Sequence, residues 1–243
     1  MNELLIGWET VEGEDYSGRR WREIAVTESN VLNCNFSGII MSRSATLGNG
    51  RKPSTYLDCV FDESRWDRVL PGRATFIGCS FHNVHISNVT FIDAEFVNCV
   101  FSGTLEHVTF SARPRELDAD LGRQVNAYRG NDFSGAQMID FAFRGGIDLD
   151  QQILPGPPNY VTIRNARAAL ARTRSEIQHL PSIANNRQWQ TMLMTLNDEM
   201  QTGQKDLFIP RSFLEENLPP HLVNQLIAIL TRSGTGSASD GVS

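Results

Sequence analysis

Cys79, His82 and His85 fall within one short stretch, and a thiolate with two imidazoles is a donor set that zinc accepts. The other cysteines argue against that use. All four stand at 34, 59, 79 and 99, spacings of 25, 20 and 20, whereas zinc sites draw on closely spaced pairs. Each cysteine instead precedes a large aromatic residue by two places: Phe36, Phe61, Phe81 and Phe101. The expectation is four reduced thiols acting as small apolar fillers, with no metal bound. Catalytic chemistry has no better foothold. No G-x-S-x-G elbow, HExxH pair or phosphate-binding glycine loop occurs. The GNG at 48–50 and the GTG at 234–236 lack the flanking strand and helix of a dinucleotide site. No catalytic residue, cofactor or metal ligand is assigned, and the chain is expected not to be an enzyme.

The elements that position the cysteines have an unusual period. Between Arg73 and Gly103, large apolar residues recur every fifth place: Phe76, Phe81, Ile86, Phe91, Phe96 and Phe101. Small residues stand two places ahead of each: Ala74, Cys79, Val84, Val89, Ala94 and Cys99. A period of five fits neither an amphipathic helix nor a half-buried strand. It fits a chain that turns a corner every five residues and closes a square after twenty, with the large and small residues inward. Such squares stack at about 4.8 Å, the strand spacing of any sheet. The register starts at Tyr16, passes Trp21, Val26, Val31 and Phe36, resumes at Tyr56, Phe61, Trp66 and Pro71, and fails at Glu106. A loop over 47–55, LGNGRKPST, supplies the five-residue insertion that this needs. Tyr16, Phe36, Phe61, Phe81 and Phe101 then form an interior ladder beside Cys34, Cys59, Cys79 and Cys99, in about five layers. An interlayer disulfide is geometrically open, but free thiols suit a chain expected in the cytoplasm. In this geometry Cys79 points inward, while His82 and His85 point out from different sides. One layer on they stack over Ser102 and Leu105, so no histidine column forms.

Residues 1–112 thus read as the repeat region, with 1–13 a lead-in strand or flap over the first layer. Residues 113–127 break the pattern, and Leu117, Leu121 and Val125 suggest a helical or loop excursion. The repeat returns over 128–153, where Phe133, Met138 and Phe143 follow Asn131, Ala136 and Phe141 by two. LPGPPN at 154–159 is a linker. The segment 154–233 is expected to be α-helical. Thr162–Leu180 ends at Pro181, Trp189, Leu193, Leu196 and Met200 mark a second helix, and Ser212–Asn217 is a short turn. His221–Arg232 carries an apolar stripe of Leu222, Val223, Leu226, Ile227 and Leu230. The Gly/Ser-rich tail 234–243 is expected to be disordered.

DYSG at 15–18, CNFSG at 34–38 and NDFSG at 131–135 are similar to the consensus of the pentapeptide-repeat family. That resemblance covers about half the chain. It implies a right-handed quadrilateral β-helix, here followed by a small α-helical C-terminal region, in a mainly β protein. It also implies one specific role, because some bacterial members act as DNA mimics. Those members protect a type II topoisomerase, DNA gyrase, against inhibitors or toxins and so confer antibiotic resistance.

Composition narrows the partners. The chain of 243 residues has a net charge of −6, which argues against direct nucleic-acid binding. Residues 1–112 carry 14 acidic and 9 basic side chains, and so hold most of the excess. No run of 18 apolar residues spans a membrane, and no secretory signal is visible at the N-terminus. Arg164, Arg167, Arg172 and Arg174 make a locally basic helix, read as a solvated face.

One outward feature stands above this background. The residues just after four inward ones, Leu32, Leu57, Ile77 and Val97, repeat the cysteine spacing and should form one aliphatic column on an outer face. Such a column calls for a cover. The candidates are the helical segment, with His221–Arg232 first, a second copy in a homodimer, or a protein partner. The expected function is a non-enzymatic scaffold for protein–protein interaction, with topoisomerase protection as the alternative.

Overall fold

Five-residue spacing along the chain becomes a ladder of parallel pairings in space. The structure, a computed structural model, describes residues 3–115, 121–179 and 186–232. Leu117, Leu180, Pro181 and the tail 234–243 lie outside the described residues. The chain forms two compact units, dividing between Pro155 and Gly156.

The pairings of the first unit are all parallel and fall into four columns. One joins β1 (Glu3–Gly7), β3 (Glu23–Thr27) and β6 (Ala45–Asn49). The next joins β2 (Thr10–Glu12), β4 (Asn30–Leu32), β7 (Ser54–Leu57), β9 (Ala74–Ile77), β11 (Glu95–Val97) and β13 (Tyr128–Arg129). Single bridges link Asp15, Asn35, Val60 and Ser80 in the third. The fourth joins β5 (Ile40–Met41), β8 (Arg65–Asp67) and the middles of β10 (Ser80–Phe91), β12 (Val100–Ser111) and β14 (Asn131–Arg144). The long strands run on through the corners, and β15 (Gln152–Ile153) pairs with the start of β14.

The corners explain the polar fifth residue of the repeat. Gly13, Asn33, Asp58, Gly78, Asn98 and Gly130 occupy one corner, layer after layer, and all have positive φ. Glycine adopts that backbone without penalty, and Asn and Asp tolerate it better than other side chains.

Aromatic rings fill the interior. Tyr16, Phe36, Phe61, Phe81, Phe101 and Phe133 stack in one file, neighbouring centroids 4.6–5.1 Å apart. A second file stacks Tyr56, Phe76 and Phe96 at 4.8 Å each. From Phe36 onward none of these rings is more than 2 % exposed. Burying each ring contributes roughly 1.5–3 kcal/mol, and stacking adds about 0.5–1.5. Every layer thereby clamps the next.

The structure corrects several expectations. The lead-in is no flap: β1 and β2 belong to the first layer, with Leu4 and Ile6 buried and Val11 opposite Val31. The five-residue series therefore begins at Ile6, not Tyr16. The register does fail at Glu106, but by a single residue, and the repeat then runs on. Phe81 pairs with Phe101 but Val84 with Gly103, so one residue is lost at that corner, and Leu105 and Phe110 then point inward. Gly103 makes the shift sterically feasible: it has φ +93°, and a Cβ there would lie 2.2 Å from the Val84 carbonyl oxygen. His85 consequently stacks over Thr104 rather than Leu105. The insertion is also shorter than 47–55, since Ala45–Asn49 is strand and only 50–53 lies outside the ladder. Gly48 is buried, with its carbonyl accepting from the Arg73 N–H at 2.8 Å. No α-helix occurs among residues 121–127, where Leu121 is buried and Val125 exposed.

The second unit contains a strand pair that the helical reading missed. β16 (Tyr160–Ile163) runs antiparallel to β17 (Leu207–Pro210), with Tyr160 and Phe208 stacked at 5.2 Å. Thr162 therefore belongs to a strand, and α1 begins later, at Ala166–Ile177. Asp206 holds that start, accepting from the Asn165 N–H at 2.7 Å and from Arg164 Nη1 at 2.9 Å. In α2 (Arg187–Gln201) the Asn186 side chain caps the first turn by accepting from Gln188 and Trp189 N–H. α3 (Arg211–Asn217) and α4 (Pro220–Arg232) complete the unit. Its core gathers Ala169, Leu170, Trp189, Leu196, Leu226 and Leu230 among others. Among the described residues no helix is long and apolar enough to cross a membrane.

Candidate interaction face

Side chains alternate along a strand, so an inward aromatic at the centre of each short strand sends its two neighbours outward. In the six-stranded column the centres are Val11, Val31, Tyr56, Phe76, Phe96 and Tyr128, and the middle four are fully buried. The following residues are in register: Glu12 opposite Leu32, Leu32 opposite Leu57, Leu57 opposite Ile77, Ile77 opposite Val97, and Val97 opposite Arg129. Leu32, Leu57 and Ile77 are half-buried, and Val97 is 8 % exposed. Stacking in register shelters each aliphatic side chain with the ones above and below. Glu12, on the first rung, and Arg129, on the last paired strand, are exposed, and beyond Arg129 the Gln151 carbonyl accepts from the Gly130 N–H at 2.8 Å. The preceding row holds Thr10, Asn30, Thr55, Thr75 and Glu95.

Interior chemistry fastens this face from behind. Cys59 Sγ donates to the Val31 carbonyl at 3.2 Å, Cys79 Sγ to that of Tyr56 at 3.4 Å, and Cys99 Sγ to that of Phe76 at 3.5 Å. Each thiol thus ties its own layer to the one before. Its hydrogen bond with the Cys79 thiol, and then burial, drive the Cys59 pKa far up, while burial leads for Cys79. All four cysteines are free and buried. Beyond Cys99 the file continues as Asn131, whose Oδ1 accepts from the Cys99 N–H and whose Nδ2 donates to Gln152 Oε1, both at 3.0 Å. The Tyr56 hydroxyl donates to the Leu47 carbonyl at 2.9 Å.

The excursion is pinned to the edge of the face by ionic contacts. Arg123 Nη1 lies 3.0 Å from Glu95 Oε2, with both side chains about 15 % exposed, and Nη2 donates to the Asp93 carbonyl at 2.6 Å. Glu95 also accepts from Thr75 Oγ1 and the Ala127 N–H. Burial lowers the Arg123 pKa, with Glu95 opposing it.

The residues considered for metal binding do not converge. Cys79 is buried in the interior, His82 is exposed with Nδ1 3.4 Å from Ser102 Oγ, and His85 sits in the fourth column. Among the described residues no three His, Cys, Asp or Glu side chains are grouped to hold a metal ion. A groove of about 500 Å³ beside Leu70, Pro71 and Thr90 has Arg68 and Arg115 at its edge, but no acid, histidine or thiol to act on a substrate. The basic segment is not one helical face, because Arg164 precedes α1 and is held by Asp206.

The pentapeptide-repeat family profile matches residues 72–104, in eight copies. The chain carries pentapeptide repeats. Among solved structures, the repeat-bearing chain is similar to two forms of QnrB1, described as a plasmid-mediated fluoroquinolone resistance protein. The trypsin-treated form is 16 % identical, covering 63 % of this chain and 80 % of that one at a TM-score of 0.24. The full-length form is 15 % identical, covering 63 % and 82 % at 0.18. No curated protein sequence matches significantly.

Sequence reasoning found the aliphatic column but neither of its charged ends. Glu12 stands twenty residues before Leu32 and follows from the spacing once the series is taken from Ile6. Arg129 was not, because the excursion places it 32 residues after Val97.

Proposed function

We propose that this chain is a non-enzymatic scaffold, its repeat unit a right-handed quadrilateral β-helix that offers a flat face to another protein. The observation that carries the reading is the in-register column of Leu32, Leu57, Ile77 and Val97 on a face braced from behind by stacked rings and thiols. Repeat stacks generally bind through such extended surfaces. The face is rigid before binding, so little conformational entropy is lost on docking. Capture of a specific protein from extract of the native cell, identified by mass spectrometry and then bound as the purified protein, tests it. A chain that captures nothing reproducibly is not a scaffold.

The alternative, a DNA mimic protecting a type II topoisomerase, draws on the repeat resemblance and on the acidic balance of residues 1–112. Continuous negative charge is what that role needs, and the column Asp15, Asn35, Val60, Ser80, Val100, Asp132 and Ile153 offers two carboxylates in seven. A DNA-gyrase supercoiling assay with a quinolone, with and without the protein, decides it: restored supercoiling favours the mimic.

A further inference from the structure

The column at the candidate face carries opposite charges on its first and sixth rungs and is neutral between them. Its paired strands give Glu12, Leu32, Leu57, Ile77, Val97 and Arg129, with the neutral Gln151 beyond, so the first rung is anionic and the sixth cationic. Both charged residues are exposed, and among the described residues neither takes part in an assigned ion pair. Six rungs at about 4.8 Å put the two charges about 24 Å apart, too far to meet within one molecule.

Such a column is self-complementary under one symmetry only. A two-fold axis along the strand direction, passing between Leu57 and Ile77, reverses the order of the rungs while leaving each row opposite itself. Glu12 then faces the partner's Arg129, Leu32 the partner's Val97, and Leu57 the partner's Ile77. In the neighbouring row Thr55 faces the partner's Thr75 and Asn30 the partner's Glu95, so no like charges meet. The parallel alternative, with the axis along the stack, holds the two Glu12 side chains at one level and the two Arg129 side chains at another. Electrostatic complementarity selects register in this way.

The stripe of α4 (Pro220–Arg232) is spent inside its own core: Leu222, Val223, Leu226, Ile229 and Leu230 all lie in that cluster, and Ile227 packs against it. The sequence expectation that this helix would cover the column therefore loses its apolar surface.

We propose that this face docks on the same face of a second copy of the chain, the two repeat stacks antiparallel and joined by two reciprocal Glu12–Arg129 pairs. The inference rests on the scaffold reading and makes the chain its own first partner. The face is a few hundred Å² per copy, below the roughly 800 Å² of a standard stable interface, so the dimer is weak and reversible.

Sedimentation equilibrium of the full chain tests this with five proteins: the parent, Glu12→Arg, Arg129→Glu, the double swap, and Ile77→Asp. The parent should show a concentration-dependent dimer that weakens with salt, as exposed ion pairs are screened. Each single swap should weaken it about tenfold or more, because two opposed pairs become repulsive, and the double swap should restore it. Ile77→Asp should leave a monomer. Thermal melts of the charge variants, altered only at exposed positions, should match the parent and show that folding is intact. A parent monomeric up to about 1 mM, a dimer indifferent to all four variants, or a double swap that fails to rescue overturns the proposal. The capture experiment fails separately: a partner captured by a monomeric chain sinks the dimer alone, and a dimer with no partner sinks the scaffold reading alone.

Discussion

Phe81 lies face to face with Phe101, ring centroids 4.7 Å apart and planes 4° from parallel, though twenty residues separate them in the chain. Phe61 stacks on the other face of Phe81 at 5.1 Å. Removing the middle ring opens a cavity with aromatic walls above and below, and neither rigid layer can collapse into it. Phe81→Ala should therefore cost roughly 3–5 kcal/mol, the range for large core truncations. For a chain of this size that lowers the melting temperature by about 10 °C or more. A melt coinciding with the parent's would contradict the interior file.

Glycines at corners should differ in a way that backbone conformation alone does not explain. Gly18 and Gly103 both have positive φ, but a Cβ at Gly18 meets nothing within 4 Å, whereas at Gly103 it would strike Val84 backbone. Gly18→Ala should cost only the left-handed strain, about 1–2 kcal/mol. Gly103→Ala should cost at least twice that, because two strand backbones must separate. Urea unfolding of the two variants measures the difference; equal midpoints would mean that the one-residue shift at this corner is not held by close approach.

The cysteines should be silent toward alkylation while the protein is folded. Burial and a neighbouring thiol raise the pKa values of Cys59 and Cys79, so almost no thiolate is present at neutral pH. Iodoacetamide should label neither in native protein, and thiol titration after unfolding without reductant should find all four cysteines. A count of two or none would reveal disulfides or another modification.

The same groups set an alkaline limit. Cys59 and Cys79 are raised as described, and burial raises Tyr56 and Tyr128 well above the usual phenol range. Each folded pKa lies above its unfolded value, so the unfolded chain releases these protons first. Stability is fully present below the unfolded pKa, about 8.5 for a thiol and about 10 for a phenol, and falls as pH rises beyond it. Urea midpoints should hold steady between about pH 7 and 8 and decline from about pH 9, with a shallower decline in Cys59→Ala. A midpoint unchanged at about pH 11 would show that these groups ionise equally well in the folded chain.

The sequence by itself determined the repeat. A period of five with a small residue two places ahead of each large one has a single economical solution, because both must face inward at every turn. Spacing alone puts Tyr16, Phe36, Phe61, Phe81 and Phe101 in one file and, through the insertion, aligns Leu32, Leu57, Ile77 and Val97. That alignment depends only on local spacing, which each layer restates. The tertiary structure alone decided what breaks that spacing. The lost residue at Gly103 shows only in the pairing with Val84, since nothing in the local sequence says which corner will tighten. The 32-residue step from Val97 to Arg129 depends on how far an excursion travels before rejoining the stack. The pairing of Tyr160–Ile163 with Leu207–Pro210 escaped a helical reading for the same reason. A contact between distant segments is settled by three-dimensional closure, and a local period carries no record of it.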